Sequence, residues 1–235
     1  MTENLRAEIL LQLKKHSGRG TKHSGDAGYL GNTHFSYHIS TPVKRGIAKA
    51  FVRERKEISP QDFLRLLDAL FRGKSHDEKV LAAILLGYSG IHRRHVTPQH
   101  LDSWLDHLVG WAEVDALCYS NIAADEMLAH WRAWKAMLVN FSKDKNVLKR
   151  RASLVLLTSP VYHSSDPRLT KIAFENIGRL KSEKDILITK AISWLLRRLI
   201  RQHRKEVAAY VKTNADGLPA IAIRETRRKL LTGRK

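Results

Sequence analysis

One cysteine, Cys118, is the only thiol in this chain of 235 residues. An intrachain disulfide and any zinc site built from several cysteines are therefore excluded, and a reducing cytoplasm is the compartment that fits. No stretch approaches the ~18 uncharged apolar residues of a membrane span, so no transmembrane helix is expected. The N-terminal MTENLRAEILLQLKKH lacks the basic start and unbroken apolar run of a secretory signal. A cytoplasmic location, nucleoid-associated in a bacterium, is the expectation. Acidic residues are scarce: 23 Asp and Glu stand against 42 Lys and Arg, a net charge of +19. With 43% hydrophobic residues the chain can bury a core and is not disordered. The excess charge therefore belongs to a folded surface. It asks for an anionic partner, nucleic acid first and an anionic membrane surface second.

Several catalytic signatures are missing too. There is no HExxH pair and no serine-centred nucleophile elbow. GTKHSG (20–25) has the glycine spacing of a phosphate loop, but Asp26 and Ala27 stand where Lys and Ser or Thr are required. His34 and His38 have helical metal spacing, yet they fall in a glycine-rich stretch with no third ligand nearby. Among 12 histidines such a coincidence is expected, and no metal site is assigned. Cys118, on an apolar helix face, reads as a small buried hydrophobe.

What is present is helix. Leu5, Ile9, Leu10 and Leu13 mark a first amphipathic helix, followed by a loop at about 16–39 that carries five glycines. Helix starts then recur with one punctuation. STP at 40–42, SP at 59–60, TP at 97–98 and DP at 166–167 each set a capping side chain before a proline. Ser75 and Glu78 have capping-box spacing. Nothing alternates with a strand period. The helix starts at Pro60 and Pro98 lie 38 residues apart with another near Ser75 between them, a helix pair of roughly HEAT length. The expected fold is all-α: HEAT-like helical repeats in a single domain over 1–235, forming a curved α-solenoid whose basic concave face suits a duplex.

Three successive helical stretches place a Trp, an Asp or an Arg where plain core is expected. GWAEVD puts Trp111 and Asp115 four residues apart on one face. NVLKRRASL opens an apolar helix with Lys149, Arg150 and Arg151. ILITKAISWLLRRLIR carries Trp194, with Arg197, Arg198 and Arg201 close behind. Trp104, Trp131 and Trp134 read as packing residues.

YLGNTHFSYHISTPVKR, GWAEVD, KRRASL and TKAISWLLRR, in that order from about Tyr29 to Leu230, resemble the bacterial DNA alkylation repair proteins of the AlkD type. These are HEAT-like-repeat alkylpurine DNA glycosylases. The resemblance implies excision of positively charged N3- and N7-alkylated purines from double-stranded DNA, by a monomer without metal or cofactor. It assigns Asp115 as the catalytic acid, Trp111 and Trp194 as aromatic walls around the lesioned nucleotide, and Arg151 as a holder of the backbone at the lesion. Tyr29 becomes an N-terminal residue approaching the DNA. Lys149, Arg150, Arg197, Arg198 and Ser40 are the expected backbone contacts. The chain departs from the family pattern at His38, where a glycine is usual, at Ser40, where a polar amide is common, and in its long linker over 16–28. Two other functions use the same features: a non-catalytic solenoid that binds distorted or branched DNA, and a helical scaffold for an acidic protein.

The implied chemistry is self-consistent. A cationic alkylpurine leaves as a neutral base, so no acid is needed to protonate it. Positive charge develops on the sugar, where one carboxylate can stabilise it and orient the attacking water. Indole faces attract a cationic nucleotide, and a guanidinium can hold a phosphate.

Overall fold

A computed structural model describes residues 2–18, 31, 33–119 and 121–234. The described residues are helical apart from turns, short irregular connections such as most of 33–40, and one isolated parallel bridge, Phe35 to Ser75. The chain divides into two compact units, Met1–Leu117 and Cys118–Lys235.

The first unit contains α1 (Thr2–Lys15), α2 (Thr41–Glu54), α3 (Pro60–Phe71), α4 (His76–Tyr88), α5 (Gly90–Arg93) and α6 (Pro98–Leu105). Helix α7 (Trp111–Cys118) crosses its boundary with the second unit. The proline starts fall where the sequence puts them, because each is fixed within one turn. Ser59 accepts from the Asp62 amide, with Pro60 at the first helical position. Phe63, Leu66, Leu67 and Leu70 then give the i, i+3, i+4, i+7 spacing of a buried stripe, and all are buried. The box at α4 is reciprocal: Ser75 accepts from the Glu78 amide, and Glu78 accepts from the Ser75 amide. Stacking follows the chain, with α1 on α3, α2 on α4 and α3 on α4. That is the neighbour-on-neighbour packing of a helical repeat.

The second unit holds α8 (Ala124–Ala129), α9 (Trp131–Phe141), α10 (Val147–Thr158), α11 (Pro160–His163), α12 (Pro167–Leu180), α13 (Ile186–Thr213) and α14 (Ala220–Thr232). Helix α10 is its centre: from Arg151 to Thr158 every residue is buried, under α9, α12 and α13. A helix buried on all sides shows no amphipathic stripe, which is why its basic start stands out in the sequence. Helix α13 breaks at His203, whose φ −130° and ψ 44° are not helical. It packs on α14 from both sides of that break, through Ser193 and Arg197 to Glu225 and through Arg204 to the Leu230 carbonyl.

Trp104 and Trp134 are core, as their sequence context suggests. Trp131 is half-buried, with the Arg168 guanidinium 5.9 Å from its ring. Cys118 is buried. No helix among the described residues is long and apolar enough to cross a membrane. Tyr29, the GTKHSG stretch and most of the glycine-rich loop lie outside the described residues.

Candidate functional site

Helix α7 is short, and Trp111 is its first residue. Trp111 and Asp115 lie one turn apart and are both half-buried, so each keeps access to solvent. Gly31 approaches the indole closely: a Cβ on Gly31 would stand 3.3 Å from Trp111 Cδ1, and its φ of +61° also favours glycine.

Between these two residues stands Glu113, whose side chain is fully buried. Its Oε1 accepts from His34 Nδ1 and His76 Nδ1, each at 3.0 Å, and its Oε2 accepts from the Val109 amide at 3.1 Å. A carboxylate only accepts, so both histidines carry the proton on Nδ1. Burial pushes the Glu113 carboxyl up. The His76 and His34 hydrogen bonds, the His34 charge and the Val109 amide outweigh it, and hold the group below the usual carboxylate range. His34 is thus committed to an acid on α7, not to a histidine pair. His38 is exposed, with φ 56°, the left-handed conformation that glycine adopts freely.

A second buried carboxylate ties the same segment to α4 and α2. Asp77 accepts from Ser36 Oγ at 2.9 Å, from the Tyr37 amide at 2.6 Å and from Lys44 Nζ at 2.6 Å. Burial raises its pKa, but the Lys44 ammonium and these hydrogen bonds prevail and hold it low. Residues 34–40 therefore run along the start of α4 toward α7. Ser40 caps α2 through its backbone position only, since its side chain makes no cap hydrogen bond.

In the second unit the basic run at α10 splits. Arg151 is buried, and its Nη1 donates to the Leu187 carbonyl of α13 at 2.5 Å. Lys149 is buried along its stem, with Nζ 5.7 Å from the Phe141 ring. Arg150 turns away: Glu183 takes its Nε and Nη2, and the Asp144 and Lys145 carbonyls take its Nη1. Trp194 is half-buried on α13, two turns past Leu187, with its ring centre 5.0 Å from that of Tyr119. Arg197 is held by the Ser193 carbonyl and by Glu225 at 3.2 Å. The Arg198 guanidinium stacks 3.5 Å from the Tyr162 ring centre.

Each unit thus presents a partly accessible tryptophan: Trp111 one turn from Asp115 in one, and Trp194 against Tyr119, whose ring lies 5.9 Å from the Arg198 guanidinium, in the other. The model of one family, "DNA alkylation repair enzyme", matches residues 9–230, across both units. The chain belongs to this family. Among solved structures it is similar to "Predicted DNA alkylation repair enzyme from Enterococcus faecalis", with a TM-score of 0.70 at 16% identity over 88% of this chain and 93% of that one. At that identity the likeness concerns the fold. No curated protein matches the sequence. A role in alkylation-damage repair, with DNA as substrate, follows from the family.

Glu113, Asp77 and Tyr162 carry no local signal in the sequence. Glu113 occupies a helix position ordinary for a solvated acid, and its partners His34 and His76 are 79 and 37 residues away.

Proposed function

We propose that the protein is a DNA glycosylase that hydrolyses the N-glycosidic bond of N3- and N7-alkylated purines in duplex DNA, as a monomer and without metal or cofactor. The observation that carries this reading is Asp115 on the same face of α7 as Trp111, both partly accessible, in a chain of net charge +19 that belongs to the alkylation-repair family.

The alkylated base is already cationic. Its bond to C1′ breaks with both electrons moving to the ring, and it leaves neutral. Water adds to C1′ of the resulting sugar cation and loses a proton. Asp115 stabilises the positive charge on the sugar and orients the water. Trp111 and Trp194 each attract the cationic nucleotide by about 0.5–2 kcal/mol. Arg151 holds the strand at the lesion, and Lys149, Arg198 and Ser40 contact the backbone. Arg150 and Arg197 support these contacts from within their ion pairs.

Asp115→Asn tests the assignment. It keeps the shape of the side chain and removes its charge. Folding and duplex affinity should persist. Single-turnover release of 7-methylguanine, above the spontaneous rate, should fall by about 10²–10³-fold, the range for one preorganised electrostatic group. Release at the wild-type rate would make Asp115 structural and leave the non-catalytic DNA-binding solenoid as the better account.

A further inference from the structure

Most guanidinium groups that this fold holds in place are held by a carboxylate. Arg150 has Glu183 at 2.8 Å, Arg197 has Glu225 at 3.2 Å, Arg168 has Asp166 at 2.8 Å and Arg6 has Glu78 at 2.7 Å. Such pairs are neutral locally and offer little to an outside anion. Arg198 and Arg201 are different. Their guanidinium carbons lie 3.5 and 4.4 Å from the centre of the Tyr162 ring, and neither has a carboxylate within ion-pair distance among the described residues. An aromatic ring orders both groups and neutralises neither.

The local sequence explains the cluster. Arg198 and Arg201 are three residues apart on α13 and so share a face. Tyr162 comes from the short α11, which packs against α13. Arg198 Nε donates to the Thr158 carbonyl at 3.1 Å, which anchors the group at its base and leaves both Nη nitrogens without a hydrogen-bond partner among the described residues. The hydrogen bond and charge of Arg201, with smaller contributions from Arg198 and Lys229, push the Tyr162 phenol below its ordinary range, in keeping with the two guanidinium groups on its ring. Two like charges three residues apart on a helix repel. The ring's negative face offsets part of that repulsion and leaves the charge in place. In the other direction, the Arg198 guanidinium carbon is 5.9 Å from the Tyr119 ring, and Tyr119 lies against Trp194. Trp194, Tyr119, Arg198, Tyr162 and Arg201 form one continuous row within the second unit.

We infer that this row is a phosphate track for the DNA strand: Arg198 and Arg201 each engage a backbone phosphate, Tyr162 sets their positions, and Tyr119 links the track to Trp194. The inference rests on the DNA-repair reading above for the presence of a strand. It adds Arg201, Tyr162 and Tyr119 as binding and positioning residues. Phosphate is favoured over nucleobase because a guanidinium already covers the Tyr162 ring at stacking distance. A guanidinium stacked by its face keeps its in-plane N–H donors directed outward, and its fork matches the oxygens of a phosphate.

The test measures the affinity of the full chain for an undamaged duplex across a salt series. Arg198→Ala with Arg201→Ala should lower affinity at low salt by at least about tenfold. It should also reduce the slope of log affinity against log salt by about 1.8, since each phosphate contact contributes about 0.9. The control, Arg65→Ala with Arg168→Ala, removes the same charge from exposed, carboxylate-paired positions and should leave the slope unchanged. Tyr162→Leu keeps both charges and removes their platform; affinity should fall about 3–10-fold with little change in slope. If melting shows that loss of Arg198 unfolds the protein, exposed Arg201→Ala alone carries the test, with a slope change of about 0.9. Equal slope changes in the two double variants would mean diffuse charge and overturn the track, while the DNA-repair reading stands. Wild-type affinity in Tyr162→Leu would overturn the positioning role of the ring. A wild-type protein with no salt-sensitive duplex binding would overturn the DNA reading itself, and the track with it.

Discussion

Glu113→Gln changes one buried oxygen into an amide nitrogen, and its cost follows from the four hydrogen bonds at that carboxylate. Oε1 accepts from two histidines, and Oε2 accepts from the Val109 amide and, at 3.2 Å, from His34. A glutamine has one accepting oxygen. Placed at the Oε1 position, that oxygen keeps both short histidine contacts, but the amide nitrogen then faces the Val109 N–H, donor against donor. Placed the other way, the nitrogen faces two Nδ1–H groups. The first arrangement is cheaper. It leaves one backbone donor and the new amide unsatisfied in a buried site, at about 1–3 kcal/mol each, and it weakens the remaining bonds by removing their charge. Taken at about 1.5 kcal/mol each, the two unsatisfied groups alone cost about 3 kcal/mol. For a chain of this size that is a fall in melting temperature of about 6–12 °C, at about 2–4 °C per kcal/mol. Thermal and urea unfolding of the full chain measure it, with the exposed Glu54→Gln as the reference. Equal stability of the two variants would refute the claim that Glu113 fastens α7 to the 34–40 segment and to α4. The consequence for function is direct, since Trp111 and Asp115 flank Glu113 on the same short helix.

Two further outcomes follow from the same segment. Glu113 and Asp77 have depressed carboxyl pKa values in the folded protein, so the stability they contribute is complete above the ordinary carboxylate values of 4.5 and 3.8 and is lost as pH falls through the lower folded values. The urea midpoint should therefore drop steeply below about pH 4, and Glu113→Gln should flatten that drop. A wild-type midpoint as insensitive to acid as that of Glu113→Gln would contradict the assignment. His38→Gly should raise stability by about 0.5–1 kcal/mol, because φ 56° strains a residue with a Cβ and the His38 side chain is exposed. His38→Ala keeps the Cβ and should gain nothing in the same melt.

The sequence by itself determined what one turn of helix can determine. Pro60, Pro98 and Pro167 open helices, and Ser75 with Glu78 closes a capping box, because each of these effects is complete within four residues. That Trp111 and Asp115 share one helix face was legible for the same reason, since the spacing alone sets it. The tertiary structure decided everything that depends on which face of a helix meets a neighbour. Arg150 and Arg151 are adjacent in one basic run, yet a step of about 100° around the helix sends Arg150 to Glu183, 33 residues on, and Arg151 to the Leu187 carbonyl, 36 residues on. Arg197 and Arg198 divide in the same way, one to a carboxylate and the other to the Tyr162 ring. Glu113 reads as a solvated acid until His34 and His76 arrive from distant parts of the chain to bury it. A charge run in a sequence counts cations; only the packing around it separates those that acids of the fold neutralise from those left positive for a phosphate.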